Sequence, residues 1–296
     1  MHDCHAKVHR PHLGDGSMHI LATSTPQTCK LMACWLVWMR RMVLFDTSVD
    51  HQLHVKTYTP DSGADGSGSF LSSSYNSATA SKASLIGGYL KMVPDNTTVI
   101  FTDLDIVPLE RYSLLHDFVP PERELTFMYN NIPHEAANTG FMLIRNTPNV
   151  RSFMDMWKLL MERELAKVGG DYDKIRPPFD QKMANNLLKS SARAAWPAGP
   201  LYHGVFDNSV VTGLPDRVAR CTFAYHAIGV NNHSAKMGRI NRAMARQSAL
   251  ASIEHPWLRE CSAAEQESCD EAHGGRAENA TADKPHDAWW RAHHPG

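Results

Sequence analysis

The stretch Val99-Ile100-Phe101-Thr102-Asp103-Leu104-Asp105-Ile106-Val107 decides how the rest of the chain is read. It opens on three consecutive β-branched or aromatic residues, the composition of a buried strand. Two carboxylates one residue apart then follow. Where the chain turns at the end of such a strand, both can converge on one divalent cation. Hard oxygen ligands suit Mg²⁺ or Mn²⁺, and either ion would neutralise a diphosphate. Spacing alone is weak support, because a chain of this acidity produces about one Asp-x-Asp by chance. Asp171-Tyr172-Asp173 has the same spacing, but it follows Gly169-Gly170 in a polar stretch and reads as a solvated loop. Asp103 and Asp105 differ because placing two carboxylates beside an apolar strand is costly without a cation.

Upstream, His19-Ile20-Leu21-Ala22-Thr23 reads as a buried strand that ends in the polar turn Ser24-Thr25-Pro26. Residues 29–43 form an apolar helical pattern, and Leu53 to Tyr58 an alternating strand. Residues 61–81, rich in Gly, Ser, Ala and Asp, read as a loop. A helix over about 81–92 leads through Pro94-Asp95-Asn96 into the strand at Val99. Strand, helix, strand, loop, helix, strand predicts a parallel α/β sheet, in which ligands collect beyond the carboxyl ends of the strands.

Downstream, Leu125 to Tyr129 and Gly140 to Arg145 read as strands. Thr147 can cap a helix with Pro148 in its first turn. The apolar face of that helix runs Val150, Phe153, Met154, Trp157, Leu160 and Met161, and Gly169-Gly170 ends it. A further helix is expected over about 181–190, and short strands over 201–206 and 218–225. The expected fold is a mixed, mostly parallel α/β sheet flanked by helices, one catalytic domain over 18–261. Residues 1–17, with His2, Cys4, His5, His9 and His12, read as a flexible arm. Residues 262–296 read as a disordered tail.

Composition narrows the function classes. The 296 residues are 43% hydrophobic and 21% charged, which excludes a wholly disordered or collagen-like chain. Lys and Arg number 30 against 31 for Asp and Glu, a net charge of -1. That balance argues against a nucleic-acid or anionic-membrane partner as the main business. The six cysteines form no Cys-x-x-Cys pair, so a zinc ribbon or thioredoxin-like centre has no support. The longest apolar run, Leu31 to Met39, is less than half of the roughly 20 residues a membrane span needs. No signal-peptide pattern opens the chain. Asn96, Asn232 and Asn279 stand in Asn-x-Ser/Thr sequons, relevant if the chain enters the secretory route.

The Asp103-Leu104-Asp105 motif resembles the metal-binding signature of GT-A fold (Rossmann-like) glycosyltransferases. Three further segments are similar to the nucleotide-diphospho-sugar transferase family of retaining enzymes. They are Asn138-Thr139-Gly140-Phe141, Phe179-Asp180-Gln181, and His226-Ala227-Ile228-Gly229 followed by Lys236. All stand in the family's order, within about residues 19–245. The resemblance implies a cation held by Asp103, Asp105 and His226. It also implies a donor sugar faced by Asn138, Asp180 and Gln181, and a leaving diphosphate gripped near Gly229 by Lys236. Thr23 and Ser24, at the end of the first strand, are placed near the nucleotide base or ribose. Lys82 is expected to reach the same pocket from its helix. Local readings stand beside these roles: Asn138 can satisfy turn backbone, and Asp180 suits a helix N-cap after Pro177-Pro178. His226 suits a core position, and Lys236 a solvated loop. The polar stretch at 61–81 and the missing membrane anchor depart from the family pattern.

What the resemblance implies is transfer of a sugar, with retention, from a nucleoside-diphosphate sugar to a hydroxyl. The cofactor is Mn²⁺ (or Mg²⁺), and the acceptor a glycan, glycoprotein or other hydroxyl compound, in the Golgi lumen. One rival is a haloacid-dehalogenase-like phosphohydrolase with Asp103 as nucleophile. It lacks the required later acidic pair, and its nucleophile strand normally comes first in the domain. Another is a catalytically inactive sugar-binding protein.

Overall fold

A computed structural model describes residues 17–25, 28–46, 48, 50–57, 73–130, 136–175, 179–191, 195–219, 222–228 and 233–250. The expected arm, apart from Ser17, and the expected tail lie outside the described residues. The elements in chain order are β1 (Ser17–Ser24), α1 (Cys29–Phe45), β2 (Asp50–Thr57), α2 (Ser73–Ala80), α3 (Lys82–Leu90), β3 (Thr98–Thr102) and β4 (Ile106–Pro108). There follow β5 (Leu125–Tyr129), β6 (Ala137–Arg145), α4 (Pro148–Lys167), α5 (Phe179–Ser191), β7 (His203–Val205), β8 (Val211–Thr212), β9 (Ala224–His226) and α6 (His233–Leu250).

Six strands form the main sheet in the order β2-β1-β3-β6-β5-β7. Within it β1 runs parallel to β2 and β3, and β5 parallel to β7; β6 is antiparallel to both of its neighbours. The sheet is therefore mixed and mostly parallel. The central strand β3 is buried along its whole length, and its side chains alternate between two cores. Ile100 packs with Met18, Ile20 and the α1 residues Trp35, Trp38, Met39 and Met42. Val99 and Phe101 pack on the other face with Ile86, Phe153 and Trp157. The α1 positions recur at three- and four-residue steps, the stripe of a helix lying on a sheet. On α4, Thr147 caps the first turn by accepting the Val150 N–H, with Pro148 following.

Three differences from the sequence reading have plain causes. The segment read as a loop through residue 81 contains α2, whose Ser- and Ala-rich turns carry little apolar periodicity. In the region read as a strand over 218–225, among the described residues only those of β9, from Ala224, form a strand, with Pro215–Arg217 forming a single 3₁₀ turn upstream. α6 has no counterpart in that reading, because its buried face rests on Met237, Ile240, Ala243 and Met244 amid Arg and Lys. No helix among the described residues is long and apolar enough to cross a membrane.

β6 is the element that assembles the site. Running against β3, it brings its own first residues alongside the carboxyl end of β3, with Thr102 paired to Phe141. A second small sheet, β4-β9-β8, begins directly after the acidic turn.

Candidate functional site

The main chain changes sheets at Asp103-Leu104-Asp105, and a tight turn accounts for how. The Asp103 N–H donates to the Gly140 carbonyl at 2.7 Å, the last tie to the main sheet, and the Ile106 N–H donates back to the Asp103 carbonyl at 3.2 Å. β4 then pairs antiparallel with β9, setting Ile106 opposite His226, while the Ala227 N–H donates to the Asp105 carbonyl at 2.9 Å. Asp103, Asp105 and His226 each offer one ligand atom, and these atoms lie within 4.8 Å of one another. Gly140 makes the approach possible. A Cβ there would lie 2.5 Å from His226 Cε1, 2.9 Å from Asp103 Oδ2 and 3.0 Å from Asn138 Oδ1.

Charge is arranged around this group in two parts. Asp105 is engaged on both oxygens: His226 Nε2 stands 3.2 Å from Oδ1, and the Lys236 ammonium, from the first turn of α6, donates to Oδ2. Burial works to raise the Asp105 carboxyl, but Lys236 and His226 outweigh it and hold the group well below the usual carboxylate range. Burial raises the Asp103 carboxyl, and Lys82 opposes that rise only in part. The Asp103 side chain remains 30% exposed against 9% for Asp105, so solvent and ligand reach the cluster from its side.

The second part lies between β6 and α5. Lys82 Nζ sits 3.2 Å from Asp103 Oδ1 and 3.1 Å from Asp180 Oδ2, over the Phe101 ring at 5.2 Å from its centroid. Burial disfavours its charge, yet Asp103 and Asp180 overcome that and hold the ammonium well above its ordinary value. Asp180 Oδ2 also accepts from Thr139 Oγ1 at 2.7 Å, and Asn138 Oδ1 accepts the Gly140 N–H at 2.8 Å. Asp180 is the second residue of α5, and its carboxylate is turned to Thr139 and Lys82. Gln181 is buried beside it.

The expected site residues therefore fall as follows. Asp103, Asp105, His226 and Lys236 meet at the sheet junction, and Asn138, Asp180, Gln181 and Lys82 line the flank toward α5. Lys82 bridges the acidic turn and Asp180. Thr23 and Ser24 lie on the same carboxyl edge at the end of β1; the Ser24 hydroxyl donates to the Thr25 carbonyl at 3.2 Å. Gly229 lies outside the described residues. Tyr75 on α2 and the Thr139 hydroxyl were not singled out. Burial first, then the charges of Asp180, Asp103 and Asp105, push the Tyr75 phenol well above its ordinary value. Only the segment read as a loop hid it.

Two carboxylates and one imidazole are a donor set that suits Mn²⁺ or Mg²⁺. The His226 Nδ1 is in addition buried with no hydrogen-bond partner among the described residues. Asp171-Tyr172-Asp173, the chance spacing, instead caps a short 3₁₀ turn, with Asp171 accepting the Asp173 N–H and pairing with Lys174 at 3.0 Å.

Comparisons with known proteins bear on the fold and the family. The glycosyltransferase involved in glycosylation of the major capsid of PBCV-1 is similar in structure, at a TM-score of 0.51 and 11% identity, covering 75% of this chain and 98% of that one. The galactosyltransferase LgtC, solved with donor and acceptor sugar analogues, gives a TM-score of 0.46 and 12% identity over 81% and 99%. Mouse xyloside xylosyltransferase 1 gives 0.35 and 11% over 66% and 87%. No curated protein sequence matches the chain. Residues 45–240 match the family described as nucleotide-diphospho-sugar transferase, and that span holds every site residue placed above except Thr23 and Ser24. The chain belongs to the nucleotide-diphospho-sugar transferase family.

Proposed function

We propose that this glycosyltransferase moves a sugar from a nucleoside-diphosphate sugar to an acceptor hydroxyl, using Mn²⁺ or Mg²⁺ held by Asp103, Asp105 and His226. The observation that carries the reading is the convergence of those three ligand atoms at the junction of two sheets, beside the carboxyl end of a buried strand. A cation held by these three residues would supply Lewis-acid stabilisation of the diphosphate, an effect worth several kcal/mol.

The chain's own residues do the rest. Lys236 donates to Asp105 as the protein stands, and a bound diphosphate offers it a stronger partner at the place where negative charge develops. Asp180 is neutralised by Lys82 and bonded by Thr139, which suits it to orient sugar hydroxyls and makes it a poor covalent nucleophile. Asn138 and Gln181 flank it. Retention then follows from attack on the face the diphosphate leaves, with the acceptor proton passing to the departing phosphate oxygen. A glycan or glycoprotein acceptor and a Golgi lumenal location complete the proposal.

The test is incubation of the purified chain with a panel of sugar nucleotides and Mn²⁺. Release of nucleoside diphosphate, with or without acceptor, supports transfer. Phosphate release from simple monoesters supports a phosphohydrolase instead, and inertness with retained sugar-nucleotide binding supports a binding protein.

A further inference from the structure

Asn185 lies about one α5 turn beyond Gln181 and is not itself among the residues expected to meet substrate. It is nevertheless buried, and its carboxamide is fully committed. Oδ1 accepts the Ala137 N–H at 3.1 Å, and Nδ2 donates to the Ala137 carbonyl at 2.7 Å and to the Gln181 carbonyl at 2.9 Å. The first two bonds copy the two-point pairing of a strand, so one side chain extends the edge of β6 at its first residue. Ala137 directly precedes Asn138 and Thr139, and Gln181 directly follows Asp180. A second tie reaches the same turn from α4, where Trp157 Nε1 donates to the Asp180 carbonyl at 2.9 Å.

We infer that Asn185 is a positioning residue for sugar transfer: it fixes the gap between Asn138 on β6 and Asp180-Gln181 on α5. The inference rests on the proposed function, in which that gap holds the donor sugar. Without Asn185, both segments keep their own secondary structure but lose the shared clamp, leaving Thr139–Asp180 and Trp157–Asp180 as the remaining ties. The diphosphate is held elsewhere, by the cation ligands and Lys236, so the clamp acts on the sugar alone. Misplacing a reacting group by about 1 Å can cost about 10²-fold in rate.

The experiment uses the full chain and whichever sugar nucleotide the wild type turns over. Asn185→Ala removes all three bonds. Asn185→Asp keeps the shape and the acceptor for Ala137 but sets an oxygen against two carbonyls. Trp157→Phe weakens the same turn from α4, and Asn186→Ala, an exposed neighbour, is the control. For each folded variant, calorimetry measures binding of the matching nucleoside diphosphate with Mn²⁺, and steady-state assays measure kcat and donor KM. We expect diphosphate affinity within twofold of wild type, kcat down about 100-fold for both Asn185 variants, and a larger share of donor lost to hydrolysis. Trp157→Phe falls between them and wild type, and Asn186→Ala is unchanged.

Unaltered kcat in folded Asn185 variants overturns the inference, as does diphosphate affinity falling in step with kcat. If both Asn185 variants fail to fold, Trp157→Phe decides, and normal kcat there overturns it. A wild type inert toward every sugar nucleotide defeats the proposed function itself. An active wild type matched by its variants defeats only this inference.

Discussion

Ile106 and His226 stand directly opposite each other in the antiparallel pairing of β4 and β9. The imidazole therefore reaches Asp105 because a three-residue strand holds one register. A slip of one residue would turn His226 to the other face. His226→Ala should weaken Mn²⁺ binding by at least the about 10- to 100-fold typical of losing a partner in a metal site. Folding should be nearly intact, because the strand pairing is main-chain. Mn²⁺ titration followed by electron paramagnetic resonance, beside far-UV circular dichroism, checks both halves.

Gly140 is needed for its missing side chain. Gly140→Ala places a methyl 2.5 Å from His226 Cε1 and 2.9 Å from Asp103 Oδ2, and neither neighbour can retreat without moving the ligand set. We expect loss of transfer activity with a stability cost of about 1–3 kcal/mol, the usual range for overpacking. Denaturant melts alongside donor turnover measure the two effects separately. Normal turnover would mean the ligand atoms are not required at their present spacing.

Lys82 separates two carboxylates that would otherwise face each other across a buried gap. Lys82→Met should destabilise the protein by about 3–5 kcal/mol, since Asp180 is left without its counter-charge. Adding Asp180→Asn should recover part of that loss, though not activity. The sign of the pH dependence is fixed. The folded ammonium is held above its ordinary 10.5, so its contribution is complete at neutral pH. It is lost only as pH rises past about that value toward the folded one. Thermal melts from pH 7 to 11 test this.

A second charged cluster, around Asp46, contributes to the acid limb beside Asp105. Asp46, just after α1, takes bonds from His51 at 2.8 Å, Ser48 at 2.6 Å, and the Ser113 hydroxyl and N–H at 2.7 and 3.1 Å. Burial raises its carboxyl, but these donors prevail and hold it well below 3.8. Its stabilisation is present above that ordinary value and disappears as pH falls through the depressed folded one. Asp46→Asn should lower stability at pH 7 and flatten its decline below about pH 4. Acid unfolding curves of the two proteins, followed by fluorescence, would expose a wrong sign.

Much of this arrangement was readable before any coordinates, where the signal was local. The apolar run ending in Asp103 and Asp105 marked the central strand and its acidic turn, and Thr147-Pro148 marked the start of α4. What was not readable depends on tertiary placement. Lys82 lies between Asp103 and Asp180 only because β6 runs antiparallel and brings Thr139 beside the end of β3. Asp180 looked like a helix cap because Pro177-Pro178 precede it, yet its carboxylate is drawn inward by Thr139 and Lys82. Asn185 is one polar residue among several on α5, and its clamp exists only once Ala137 is in place. α2 and α6 escaped because Ser, Ala, Met and Arg give little contrast between faces.

The central claim is that Asp103, Asp105 and His226 hold one cation that sugar transfer requires. Its most direct test is an electron paramagnetic resonance titration of Mn²⁺, with nucleoside diphosphate present, into wild type and Asp105→Ala, paired with donor turnover. The account predicts one tightly bound Mn²⁺ per wild-type chain, and in the variant loss of both that ion and turnover. An Asp105→Ala protein that binds Mn²⁺ and consumes donor like the wild type would contradict it.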